Sequence, residues 1–173
     1  YNDILVSACA EEQIAAFTGD GTNPAVMEGA TRAIKAAGGR GIPTVKPWDV
    51  DTLAEKFALV KEAGAFACAM DVDAAGLPFL KNLTPPAGSK SAGELKAIIA
   101  DAEVPFILKG IMTVKGALKA KEAGAAAIVV SNHGGRVLDQ CPPTAEVLEE
   151  IADAVGSDMK IFVDGGIRSG VDV

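Results

Sequence analysis

The chain has 173 residues, 49% of them hydrophobic, and its 23 acidic and 16 basic side chains leave a net charge of −7. That acidity argues against a nucleic acid or an anionic membrane surface as partner, and no apolar run reaches the ~18 residues a spanning helix needs. Cys9, Cys68 and Cys141 are odd in number and widely spaced, which suits reduced packing residues in a cytoplasmic protein better than disulfides or metal ligands.

Taken in order, strand-like and helix-like segments alternate from end to end. Residues 4–12 read as the tail of a helix, and 14–17 as a short apolar strand running into Thr18-Gly19-Asp20-Gly21. Asn23-Pro24 opens a helix through about Ala37, with proline in the first turn that tolerates it. Residues 42–46 form the next strand, closed by Pro47 and Trp48, and 51–62 an amphipathic helix with Leu53, Phe57 and Val60 on one face. A strand over 66–70 runs into Asp71 and Asp73, followed by a long loop from Ala74 to about Lys90 that contains Pro78, Pro85 and Pro86. Ser91 caps a helix to Ala100, 105–108 is a strand ending at Lys109-Gly110, and Thr113 caps a helix to Ala123. The strand Ile128-Val129-Val130, a helix over 144–155 and a strand over 160–163 complete the chain.

KEAGAFACAMD (61–71) and KEAGAAAIVVS (121–131) repeat one another at sixty residues, the length of about two βα units. Regular alternation implies a parallel sheet with right-handed crossovers. Polar residues recur at the C-terminal ends of the strands, where (β/α) barrels keep their active sites, and a closed barrel needs eight strands and ~250 residues. Six strands are expected here. The chain opens on Tyr1 and stops at Val173 inside what reads as a helix start. The expectation is therefore a single partial TIM-type barrel domain over 1–173, truncated at both ends.

The stretch SNHGGR (131–136) holds the only histidine of the chain, His133, three residues before the fixed cation Arg136, with two glycines between them. A titratable base beside a guanidinium fork is a catalytic pair in one reading and a polar loop in the other. With PFILKGIMT around Lys109 and with DGGIR at 164–168, the stretch resembles the FMN-dependent α-hydroxy-acid oxidases and dehydrogenases, the family of glycolate oxidase, lactate oxidase and flavocytochrome lactate dehydrogenase. The resemblance is strong from about Ile98 to Val173, weaker over 65–73, and poor before Asp51.

The resemblance implies a (β/α)8 barrel of which strands two to seven are present, FMN at the C-terminal strand ends, and oxidation of an (S)-2-hydroxy acid to the 2-keto acid. It implies that His133 is the base, Arg136 the clamp on the substrate carboxylate, and Asp73 the carboxylate that fixes the imidazole tautomer. Asp71, two residues earlier, competes for that last role and falls where the family has a threonine touching the flavin. Lys109 matches the cation at the flavin N1/O2 edge, and Ser131 a hydroxyl at the flavin or its ribityl chain. Asp164, Gly165, Gly166 and Arg168 match the ribityl- and phosphate-binding turn, and Thr18 is a looser cofactor candidate. Where the family places a tyrosine at the third strand this chain reads IPTVKPW, so Lys46 is expected to take part of that role at the substrate. A small-molecule 2-hydroxy acid is the implied partner, and a homo-oligomer the implied full-length state. The competing readings are a non-catalytic barrel fragment without flavin, and another FMN or phosphate-binding barrel, for which Cys141 would have to act as catalytic cysteine.

Overall fold

The computed structural model describes residues 1–83 and 87–173. Six strands, β1 (Ala16–Thr18), β2 (Gly41–Val45), β3 (Cys68–Asp71), β4 (Phe106–Ile111), β5 (Ala127–Val130) and β6 (Lys160–Val163), form one parallel sheet in sequence order. Each strand pairs with the next, which is what repeated right-handed βα crossovers produce. The helices are α1 (Asn2–Glu11), α2 (Pro24–Ala36), α3 (Val50–Glu62), α4 (Pro78–Lys81), α5 (Ala92–Asp101), α6 (Val114–Glu122) and α7 (Thr144–Val155). No described helix is long and apolar enough to cross a membrane.

Local chemistry sets the helix limits. Asn23, Asp49 and Thr113 each accept a backbone N–H in the first turn of α2, α3 and α6, and Ser91 with Glu94 closes a reciprocal capping box on α5; a cap of this kind contributes ~1 kcal/mol. The repeated KEAG ends both α3 and α6. Gly64 (φ +64) and Gly124 (φ +88) take the left-handed conformation that stops each helix and turns the chain back into the sheet.

The sheet separates two apolar layers. Outward-facing Val45, Cys68, Met70, Phe106, Leu108, Ile128 and Val130 pack under the helices. The inward layer is made largely of smaller residues, Ala67, Ala69 and Ala127 with Ile42, Ile107 and Val129, and small side chains let the sheet curl tightly. The curl brings Phe17 of β1 against Phe162 of β6, ring centroids 6.0 Å apart at 71°. The architecture is a curled part of a (β/α) barrel, with helices on the outside.

Several sequence expectations shift. Ile14 is exposed and β1 begins at Ala16; Phe66 is likewise exposed and β3 begins at Cys68. The loop expected from Ala74 is partly helical: a 3-10 turn spans Val72–Gly76 and α4 follows. Ala74, Ala75, Leu77 and Leu80 are buried there, so apolar packing orders a segment that proline content alone reads as loop. Pro85 and Pro86 of that expected loop lie outside the described residues.

Candidate active site

The C-terminal strand ends carry a row of charged side chains. Asp71 pairs in register with Lys109 across β3 and β4, and Lys46 stands one residue past Val45, which pairs with Met70. Lys46 Nζ reaches Asp71 Oδ2 at 2.6 Å, and Lys109 Nζ stands 3.7 Å from Asp71 Oδ1. Lys109 also lies 3.0 Å from Asp164 Oδ2 and donates to Ser131 Oγ at 2.8 Å. Positive and negative groups thus alternate along Lys46, Asp71, Lys109 and Asp164, and no charge in the row is buried without an opposite one beside it. A second buried pair adjoins it, next to the Lys46 backbone. Asp20, its side chain fully buried, accepts from Trp48 Nε1 at 2.7 Å and from Lys56 Nζ at 3.0 Å, which ties the turn after β1 to the end of β2 and to α3.

His133 follows β5 in a 3-10 turn with φ +57, and Gly134 and Gly135 continue at positive φ. Three successive left-handed residues hold the imidazole in over the strand ends, a conformation that is unusual for a side-chain-bearing residue and is concentrated at functional sites. Nδ1 faces Asp73 at 3.1 and 3.2 Å from its two oxygens. Asp73 sits in the 3-10 turn after β3, against the bulge in β4 at Gly110, where a Cβ would collide with the Asp73 carboxylate. Arg136 Nε donates to the His133 carbonyl at 3.2 Å, so the guanidinium is anchored at one nitrogen with its terminal nitrogens remaining.

These elements border a cleft of about 590 Å³ lined by Thr18, Lys46, Asp71, Lys109, His133, Arg136, Asp164 and Gly165 among the residues expected from sequence. Sequence reading missed Thr44, Gly19, Asp20 and Phe17 on its wall; for Thr44 the available signal was its place two residues before Lys46, on the same face of β2. Other expected residues are not brought to the cleft wall. Ser131 is fully buried behind Lys109 and accepts from it, and Asp73 stands behind His133. Gly166 and Arg168 are exposed and do not line the cleft, and the Arg168 N–H donates to Asp172 Oδ2 at 2.9 Å within a local turn. Lys46, expected at the substrate, is engaged by Asp71 because the register places the two side by side. Asp71, Asp73 and His133 offer ligand atoms within 4.8 Å of one another, but Lys46 and Lys109 already neutralise Asp71, which makes the group an acid–base cluster and a poor host for a cation.

A family profile described as FMN-dependent dehydrogenase matches residues 79–173, more than half of the chain. The chain belongs to this family. Over 79 residues it is 52% identical to 4-hydroxymandelate oxidase of Amycolatopsis orientalis, covering 46% of this chain and 22% of that protein. It is 56% identical over 69 residues to L-lactate dehydrogenase of Vibrio parahaemolyticus, covering 40% of this chain and 18% of that one. A point mutant of mandelate oxidase solved with (S)-mandelic acid superposes with a TM-score of 0.80 at 28% identity, covering 99% of this chain and 55% of that chain. The FMN-dependent dehydrogenase segment therefore spans about half the length of the structure it matches.

The residues present fit FMN. Thr18 Oγ1, Thr44 Oγ1 and Asp71 Oδ1 are buried on the cleft wall without a hydrogen-bond partner, as a polar ligand at the strand ends requires. Lys109 places an ammonium group on the same wall, and Gly165, at φ +105, exposes backbone to the same space beside Asp164.

Proposed function

We propose that the full-length protein oxidises an (S)-2-hydroxy acid, lactate- or glycolate-like, to the 2-keto acid with FMN. The observation that carries this reading is the His133–Asp73 pair, held beside Arg136 and Lys109 on a cleft lined by unpartnered polar atoms. FMN bound there supplies the acceptor for the hydride from the substrate α-carbon. Arg136 grips the substrate carboxylate with its terminal nitrogens and fixes which face of the α-carbon points inward. His133 Nδ1 is turned to Asp73, so Nε2 is the nitrogen that takes the hydroxyl proton, and Asp73 stabilises the imidazolium that results. Lys109, the cation on the cleft wall, would stabilise the negative charge that the flavin gains on reduction. Asp164 and Gly165, both on the cleft wall, would hold the ribityl chain. Ser131 acts through Lys109, whose ammonium it orients.

The cysteine-based alternative has less support, since Cys141 does not line the cleft. We place the protein in the cytoplasm on its cysteine usage. The test is the absorbance spectrum of the purified full-length protein with and without L-lactate or glycolate. A yellow protein that bleaches anaerobically is expected; a protein that stays colourless when FMN is added overturns the reading.

A further inference from the structure

Three polar atoms among the described residues are buried without a partner, and all belong to cleft-lining residues at the ends of adjacent strands: Thr18 Oγ1, Thr44 Oγ1 and Asp71 Oδ1. Native proteins leave few such atoms, because burying a polar group without a partner is costly, and a charged one more so. The three are not equivalent. A hydroxyl rotates and serves as donor or acceptor, whereas an ionised carboxylate only accepts. Asp71 therefore calls for a donor.

The protein does not supply one to Oδ1. Lys46 is committed to Oδ2 at 2.6 Å. Lys109 stands 3.7 Å from Oδ1, beyond hydrogen-bond reach, and is engaged by Ser131 at 2.8 Å and Asp164 at 3.0 Å. Asp71 is 5% exposed, which leaves little access for bulk water. The donor has to come from what fills the cleft.

We infer that Asp71 Oδ1 accepts the N3–H of bound flavin. The inference rests on the reading that FMN binds with its N1–C2=O2 edge at Lys109. Oxidised isoalloxazine has one N–H, at N3, flanked by the carbonyls at C2 and C4. With C2=O2 at Lys109, the next group along that edge is N3–H, and the next strand over from Lys109, in register, presents Asp71. C4=O then falls toward β2 and β1, where the Thr44 and Thr18 hydroxyls are free to donate. The edge reads acceptor, donor, acceptor, and the strand ends read cation, carboxylate, hydroxyls. Lys46 complements this arrangement by neutralising Asp71, so that the carboxylate accepts from N3 without setting a full negative charge against a ring that becomes anionic on reduction.

The test compares FMN with N3-methyl-FMN, which lacks the donor, for binding to the full-length apoprotein by flavin fluorescence quenching. Loss of one hydrogen bond to a buried charge corresponds to about 10- to 100-fold in affinity, and the wild-type protein is expected to bind N3-methyl-FMN weaker by that factor. In Asp71→Ala, which removes the acceptor and makes room for the methyl group, the two flavins are expected to bind within about threefold of each other. Equal binding of both flavins by the wild type overturns the inference while leaving the flavin site intact, and needs no variant to fold. Full discrimination retained in Asp71→Ala also overturns it. Binding of neither flavin overturns the FMN reading together with it.

Discussion

His133 Nδ1 lies 3.1 Å from Asp73 Oδ1, although sixty residues of chain separate them. The contact commits one ring nitrogen to the carboxylate and leaves Nε2 as the group that can exchange a proton with a substrate. Asp73→Asn keeps the size of the side chain but removes the charge that stabilises imidazolium. In the full-length enzyme it should lower kcat by roughly 10²- to 10⁴-fold, as His133→Ala should, with FMN content unchanged. The double variant should be little worse than His133→Ala alone, because the two act as a unit. Additive losses in steady-state kinetics would refute that coupling.

Arg136 offers a different readout, since its guanidinium is already anchored through Nε to the His133 carbonyl. Arg136→Lys retains the cation and loses the planar fork. A clamp that binds the carboxylate in both ground and transition states should show a raised KM as well as a lowered kcat. Unchanged KM across several 2-hydroxy acids would remove Arg136 from the substrate.

Lys46 and Asp71 form a buried pair at 2.6 Å with side chains 11% and 7% exposed. Removing one partner of such a pair costs about 3–5 kcal/mol, because the other charge stays buried, whereas replacing both is far cheaper. Lys46→Met is therefore expected to destabilise strongly. Lys46→Met with Asp71→Asn should recover most of the loss in urea unfolding. Additive destabilisation would show that the two charges do not depend on each other.

Burial pushes the Cys68 thiol up to about 12, while Cys9 and Cys141 are half-buried. The nucleophile is the thiolate, and at pH 8 only ~10⁻⁴ of a thiol with so high a value is ionised. Alkylation of the native protein followed by peptide mapping should modify Cys9 and Cys141 and spare Cys68 until denaturant is added. Rapid native labelling of Cys68 would mean that β3 opens readily.

Much of this arrangement is legible in the sequence, because strand ends in a parallel sheet are marked by short apolar runs stopping at polar residues. Val130 before Ser131 and Leu108 before Lys109 are such marks, and KEAG fixes where α3 and α6 turn back. What stayed ambiguous depends on partners distant in the chain. Asp71 and Asp73 share a parity, and only the switch into a 3-10 turn at Val72 sends the first to the lysines and the second to His133. Lys46 and Asp71 each read as an isolated departure from the family pattern. Their pairing depends on the register of β2 on β3, which no local pattern specifies. Asp20 was legible only as a turn residue, because its partners Trp48 and Lys56 come from the next strand end and helix. Arg168 was expected on the strength of DGGIR, yet the turn through Asp172 leaves it exposed.

Gly110 gives the last prediction, at a position whose importance lies in what it lacks. It occupies the bulge of β4 at φ +94, and a Cβ built there would run into the Asp73 carboxylate. Gly110→Ala thus meets two penalties, a left-handed backbone that costs ~1–3 kcal/mol for a residue with a side chain, and a displacement of the carboxylate that holds His133. Urea unfolding should show a loss of that size. In the full-length enzyme, kcat should fall toward the value of Asp73→Asn with FMN content unchanged. Adding Asp73→Gly to Gly110→Ala should relieve the collision and restore part of the stability, but none of the activity. If Gly110→Ala leaves turnover intact, Asp73 tolerates displacement, and the His133 tautomer is fixed by some other group.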